Sequence, residues 1–240
     1  MSDKTLIGCR ALLGEDAQLS DGAVDIFIYG GRVQVIHPTG QIPPVGEVID
    51  ANRSLATPGL INGHFHSHEH FHKGRYDNVA LEMWMNYVRP VTPLPWTPRQ
   101  VYLRTLIGAI ETLRSGATTI CDNMNVSPVL NPEHVEAALQ AYQDIGLRAH
   151  LGITLFDKPI FRGMPFVDEE FPPEMLAELS KGEATPPADV LDFARGLARD
   201  RHPRENRVGY IAAPSAPQRC PLGAATLHDG ISVRHPPNGG

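Results

Sequence analysis

The sequence predicts an α/β fold in which a parallel sheet with crossover helices follows a small β-layer. Three observations carry that reading. Two alternating apolar runs flank a Gly-Gly turn near the start, short apolar runs recur after residue 58, and helix start and stop signals separate those runs.

The runs VDIFIY and RVQVI flank Gly30-Gly31, a two-residue turn that needs positive φ and therefore signals a hairpin. With the apolar start TLIGCRALL they make residues 1–57 a β-rich segment. ATPGLINGHFH is the next strand, entered through Pro58-Gly59, and further strands are expected at 117–123, 147–155 and 207–213. Between them, Thr97, Pro98 and Gln100 read as N-cap, first-turn proline and capping-box partner. Leu103, Leu106, Ile110 and Leu113 form the expected buried stripe, and Gly116 closes it. Asn131-Pro132 opens a second helix with Val135, Leu139, Tyr142 and Ile145 inward and Gly146 at its end. A third helix is expected over 188–200. Residues 156–187, rich in Pro, Gly and acids, are too long for a simple connection and read as a functional loop with one short helix near 175–179. Beyond Pro221 periodicity fades, and 221–240 is expected to be an irregular tail.

An apolar fraction of 42% and a charged fraction of 20% over 240 residues are those of a soluble globular protein. The formal charge of −6, with Lys and Arg scattered, argues against nucleic acid and for a small-molecule substrate. The start MSDKTLIGCR has no apolar run of signal-peptide length, and no run of about 18 apolar residues follows, so a cytoplasmic protein without membrane spans is expected. Cys9, Cys121 and Cys220 are far apart with no CxxC pair, which argues against a disulfide framework or a thiolate zinc site.

In LINGHFHSHEHFHKGR, His64, His66, His68, His70 and His72 fall on every second position. Side chains two apart share one face of a strand, so His64 and His66 can offer two nitrogens to one ion at the C-terminal end of a parallel strand, where barrel active sites lie. A solvated His-rich loop is the other reading, because HxH alone is a weak signal.

With DIFIYGGRVQVI, ID-ANRSLATPGLINGHFHSH, the stretch from Asp77 to Met85, LRSGATTICD and APSAPQRC in this order, the chain resembles the amidohydrolase superfamily. The branch is that of cytosine, guanine and adenosine-type deaminases and triazine hydrolases. The resemblance implies a partial TIM-like (β/α) barrel over 58–220, about four of eight units, preceded by a small β-sandwich segment. It implies His64 and His66 as the first two ligands of one divalent ion, Zn or Fe. That ion activates water for attack at a C–N carbon while a carboxylic acid protonates the leaving nitrogen. The strand RVGYIAAPSA lacks the lysine of binuclear relatives, which implies a single ion.

The family's remaining ligands and its acid/base would come after APSAPQRC, where only 20 residues follow Cys220, so the catalytic residues are unassigned. The chain is expected to be an N-terminal half, inactive alone, binding metal weakly and self-associating through an open barrel edge. Trp84, Asn123, Ser215 and Gln218 are candidate substrate contacts, with packing or turn roles as the alternative. Ser215 and Val91-Thr92 stand where adenosine-type deaminases carry a histidine and an acid, which argues against a nucleoside. His68, His70 and His72 are expected at the loop or pocket rim. From a different class of function, a non-catalytic module pairing with another chain also fits.

Overall fold

The computed structural model describes residues 2–88, 95–155, 166–181 and 184–215. The chain divides into two compact units, Met1–Gly59 and Leu60–Gly240.

The first unit is one curled six-stranded sheet. Its strands are β1 (Lys4–Leu13), β2 (Gln18–Leu19), β3 (Val24–Tyr29), β4 (Arg32–Pro38), β5 (Glu47–Asp50) and β6 (Leu55–Ala56). The order is β2-β1-β3-β4, with β5 and β6 both running parallel to β1. The expected hairpin joins β3 to β4, and Gly30 and Gly31 take the positive φ values of 56° and 77° that the turn requires. Cys9, Ala11, Val24, Ile26 and Ala51 form its small core.

The second unit is a partial (β/α) barrel. Strand β7 (Leu60–Phe65) leads through a 3-10 turn (Ser67–His72) to α1 (Leu81–Val88) and α2 (Pro98–Arg114). Then come β8 (Ala117–Met124), α3 (Pro132–Ile145) and β9 (Arg148–Leu155). The remainder is α4 (Val167–Glu170), α5 (Pro173–Leu179), α6 (Pro187–Asp200), β10 (Val208–Tyr210) and β11 (Ala213–Pro214). The strands are parallel in the order β10-β9-β8-β7, the topology that crossover helices impose. The expected fourth strand is interrupted: β10 and β11 pair with β9 as two short pieces. Among the described residues the region after β9 holds two short helices, α4 and α5, where one was expected, and α1 carried no helix signal in the sequence. Residues 216–240, including Gln218 and the expected irregular tail, lie outside the described residues.

Helix boundaries follow their caps. Gln100 N–H donates to Thr97 Oγ1 and Thr97 N–H to Gln100 Oε1, a reciprocal capping box. Asn131 caps α3 by accepting from Glu133 N–H, and left-handed Gly146 ends it. Val135, Leu139 and Tyr142 are buried as expected, whereas the stripe expected on α2 is out of phase. Its buried face is Val101, Arg104, Thr105, Gly108, Ala109 and Thr112, and Ile110 is 41% exposed. The period was right; the phase is set by a buried arginine and by small residues that let the helix approach the sheet.

Candidate metal-binding and hydrolytic site

Strand β8 alternates. Ile120 and Met124 join the core with Val135, Leu139 and Tyr142 of α3, and Asp122 between them is also fully buried. Period-two geometry sends Cys121 and Asn123 to the opposite face, the barrel interior. In β7, Phe65 packs against the helix-side core, so His64 and His66 take the interior side. The register between Asn62 and Phe65 spends one more residue on β7 than on β8, a bulge at Gly63-His64. Bulges re-aim side chains next to sites, and this one sits within the histidine pair.

His66 Nδ1 lies 2.8 Å from the carbonyl oxygen of Asn123. A carbonyl can only accept, so Nδ1 carries the proton and Nε2 keeps its lone pair, the arrangement in which metal-binding imidazoles are held by an outer partner. Asn123 is fixed in turn by Thr154 of β9, whose hydroxyl donates to Oδ1 at 2.7 Å. The His64 ring stands 4.8 Å from that of His66 at 87°, and its backbone N–H donates to Asn62 Oδ1. Two imidazoles on one face suit zinc or iron, and the tautomer fixed at His66 fits that use.

Directly behind, Asp122 accepts from the Ser67 backbone N–H at 2.9 Å and from the Tyr142 hydroxyl at 2.7 Å. Burial pushes the Asp122 carboxyl up, against the pull of the Ser67 and Tyr142 hydrogen bonds and the nearby His66. Tyr142 is pushed well up by burial and by the Asp122 charge. Burial brings the Arg104 guanidinium down to about 10, with Asp122 and Tyr142 opposing. Asp122 and Arg104 were not singled out by sequence reasoning, and Tyr142 was read only as part of the buried stripe of α3. The one available signal was an acid inside the apolar strand ATTICDN.

The other histidines have separate places. His66, His68 and Glu69 offer ligand atoms within 4.8 Å of one another. However, His68 Nδ1 accepts the Asn125 backbone N–H at 3.1 Å, so neutral His68 carries its proton on Nε2, 3.4 Å from Glu69 Oε1. An ion on Nε2 would displace that proton, so the trio is a poorer donor set than His64 with His66. His70 packs beside Phe65 with ring centroids 5.0 Å apart and lies 3.7 Å from Glu111. His72 is buried and stacks on Tyr76, which stacks on Tyr87. The expected rim histidines therefore occupy a folded turn, two of them buried.

Of the candidate substrate contacts, Asn123 is engaged as described. Trp84 is half-buried on α1. Ser215 follows β11 with its N–H bonded to the Leu155 carbonyl.

The profile of the amidohydrolase family matches residues 55–224. The chain belongs to the amidohydrolase family. It is 30% identical over 206 residues to a 5-methylthioadenosine/S-adenosylhomocysteine deaminase of Desulforudis audaxviator, covering 84% of this chain and 40% of that protein. Among solved structures it resembles atrazine chlorohydrolase from Arthrobacter aurescens TC1, solved with zinc, at a TM-score of 0.70 and 19% identity over 90% of this chain and 48% of that one. It also resembles a zinc-bound adenosine deaminase from Xanthomonas campestris, at a TM-score of 0.63 and 18% identity over 95% and 46%. The amidohydrolase chain thus spans less than half the length of these relatives. Among the described residues no helix is long and apolar enough to cross a membrane.

Proposed function

We propose that this chain supplies the first half of a metal-dependent hydrolase of non-peptide C–N bonds, acting on a heterocyclic or amide small molecule. His64 and His66 serve as two ligands of one Zn or Fe ion. The observation that carries the proposal is the His66–Asn123 hydrogen bond, which presents Nε2 from the C-terminal end of a parallel strand. When bound, a divalent ion supplies activation of water for attack on the carbon of the C–N bond. Asn123 orients His66, Asp122 anchors the turn that follows it, and Ser215 at the end of β11 is the retained candidate for substrate contact. Trp84 and Gln218 are weaker candidates.

The sequence expectation from Ser215 and Val91-Thr92 was against a nucleoside, but the names of the relatives favour removal of an amine from an adenosine-like ring, and hydrolytic deamination is the preferred reaction. Catalytic zinc takes three protein ligands plus water, so these 240 residues are expected to hold metal weakly and to turn over nothing until the rest of a barrel is joined to them. Among the described residues strand β7 pairs only with β8, and it exposes Leu60 and Ile61, an edge expected to drive self-association. A reducing cytosolic compartment suits its free cysteines Cys9 and Cys121.

The test is to co-express the chain with the second half of a matched deaminase and assay ammonia release from 5-methylthioadenosine with added zinc. Zinc-dependent release that disappears in His66→Ala supports the proposal. A folded, zinc-loaded complex that releases no ammonia from this substrate or from a panel of aminated heterocycles contradicts it.

A further inference from the structure

A cavity of about 300 Å³ opens beside the turn that follows β7, and neither His64 nor His66 lines it. Its walls come from that turn, from α2, and from the segment linking β8 to α3, including the first turn of α3. Arg104, only 5% exposed, lines it. The Nε of this buried guanidinium has no hydrogen-bond partner among the described residues, nor has Nδ1 of His72, which also lines the cavity. The guanidinium carbon lies 5.8 Å from the Trp96 ring centroid, and Trp96 also lines the cavity. Asn131 and His134 bring the N-terminal turn of a 14-residue helix to the lining, where its dipole adds positive potential. Met124 and Val126 add apolar lining, and His68, Asn125 and Ser127 add polar lining.

A buried arginine is costly unless it is paired. Asp122 is its nearest buried acid, but both carboxylate oxygens of Asp122 already accept, from Ser67 and from Tyr142. The Arg104 Nε thus has no partner among the described residues, and Arg104 lines a space large enough for a small organic molecule. A planar carboxylate matches a guanidinium fork better than a point charge does, and the Trp96 indole with Met124 and Val126 offers a flat body an apolar surface behind it.

We propose that this cavity binds a small monocarboxylate with a flat apolar body, its carboxylate on Arg104 and its body against Trp96. The site is distinct from the histidine pair and stands whether or not the hydrolase proposal does.

The test is calorimetric titration of the full chain, in phosphate-free buffer with a chelator, using benzoate and its neutral isostere benzamide. Saturable one-to-one binding of benzoate, at least about tenfold tighter than benzamide, is expected, because a charge-assisted bond separates the two ligands. Arg104→Met should abolish the preference and Arg104→Lys should retain part of it. Val126→Phe, which fills the cavity while leaving Arg104 in place, should abolish binding even if Arg104→Met fails to fold. Equal affinity for the two ligands, unchanged benzoate binding in Val126→Phe, or no saturable heat up to about 10 mM benzoate overturns the proposal.

Discussion

The carbonyl of Asn123 holds the Nδ1 proton of His66 at 2.8 Å, and one residue earlier the Asp122 carboxylate holds the N–H of Ser67 at 2.9 Å. Two neighbours on β8, pointing to opposite faces of the sheet, thus fix two neighbours at the end of β7. The interior-facing bond sets a ring orientation, and the helix-facing bond sets the path of the backbone that carries the ring.

Asp122→Ala should therefore damage more than a local contact. It strips partners from Ser67 N–H and Tyr142 Oη and removes the buried acid nearest Arg104, so a loss of about 3 kcal/mol in urea denaturation is expected. Tyr142→Phe removes one hydrogen bond from the same network and should cost about 1 kcal/mol.

Two glycines should respond with opposite signs to alanine. At Gly108 of α2 an added Cβ would lie 2.7 Å from His70 Cε1 and 2.8 Å from Phe65 Cζ, so crowding outweighs helix propensity and a net loss of about 1 kcal/mol is expected. At Gly196 of α6 the nearest atom is Arg199 Nη2 at 4.0 Å, and Gly196→Ala should gain about 0.5–1 kcal/mol. Thermal unfolding of the two variants checks both signs.

Stability should fall on mild acidification. His72, His134 and His150 are all held below the ordinary histidine value, chiefly by burial. Below about pH 6.5 the unfolded chain takes up protons that the folded chain refuses, so their contribution is full above that pH and is lost as pH falls toward the folded values. Asp122, pushed up by burial, acts in the opposite sense from about pH 3.9 upward. The diagnostic is therefore a difference: between pH 7 and 5, His150→Gln should lose less stability than the unaltered chain in parallel urea titrations.

The open edge makes a further prediction. Ile61 is 72% exposed on β7, a strand paired on one side only among the described residues, so Ile61→Lys should reduce self-association seen by sedimentation velocity. Equal association by both chains would show that this edge is not the contact.

What the sequence discloses follows from how local each signal is. The Thr97–Gln100 capping box, the Asn131 cap with Gly146, and the Gly30-Gly31 turn act within a few residues, and each recurs in the structure. The His64/His66 pair is legible because strand alternation is local too. Asp122 with Arg104 is not, because apolar patterning places charges outside, and only the fold brings β8, α2 and α3 together around them. The same blind spot shifted the α2 stripe: Ile110 reads as core, yet Arg104, Gly108 and Ala109 take the buried positions. His68 and His72 were expected at a loop or pocket rim because they lie past the ligand pair; their turn buries them, with His68 bonded to Asn125 and His72 stacked on Tyr76, and both line the adjoining cavity.

The most direct test of the central claim is zinc binding by the purified chain, titrated against a competing chelator indicator. The account predicts weak uptake of one ion per chain that disappears in His64→Ala/His66→Ala and persists in His68→Ala. Uptake that survives loss of the first pair, or that vanishes with His68 alone, would contradict it and move the metal to His68 and Glu69.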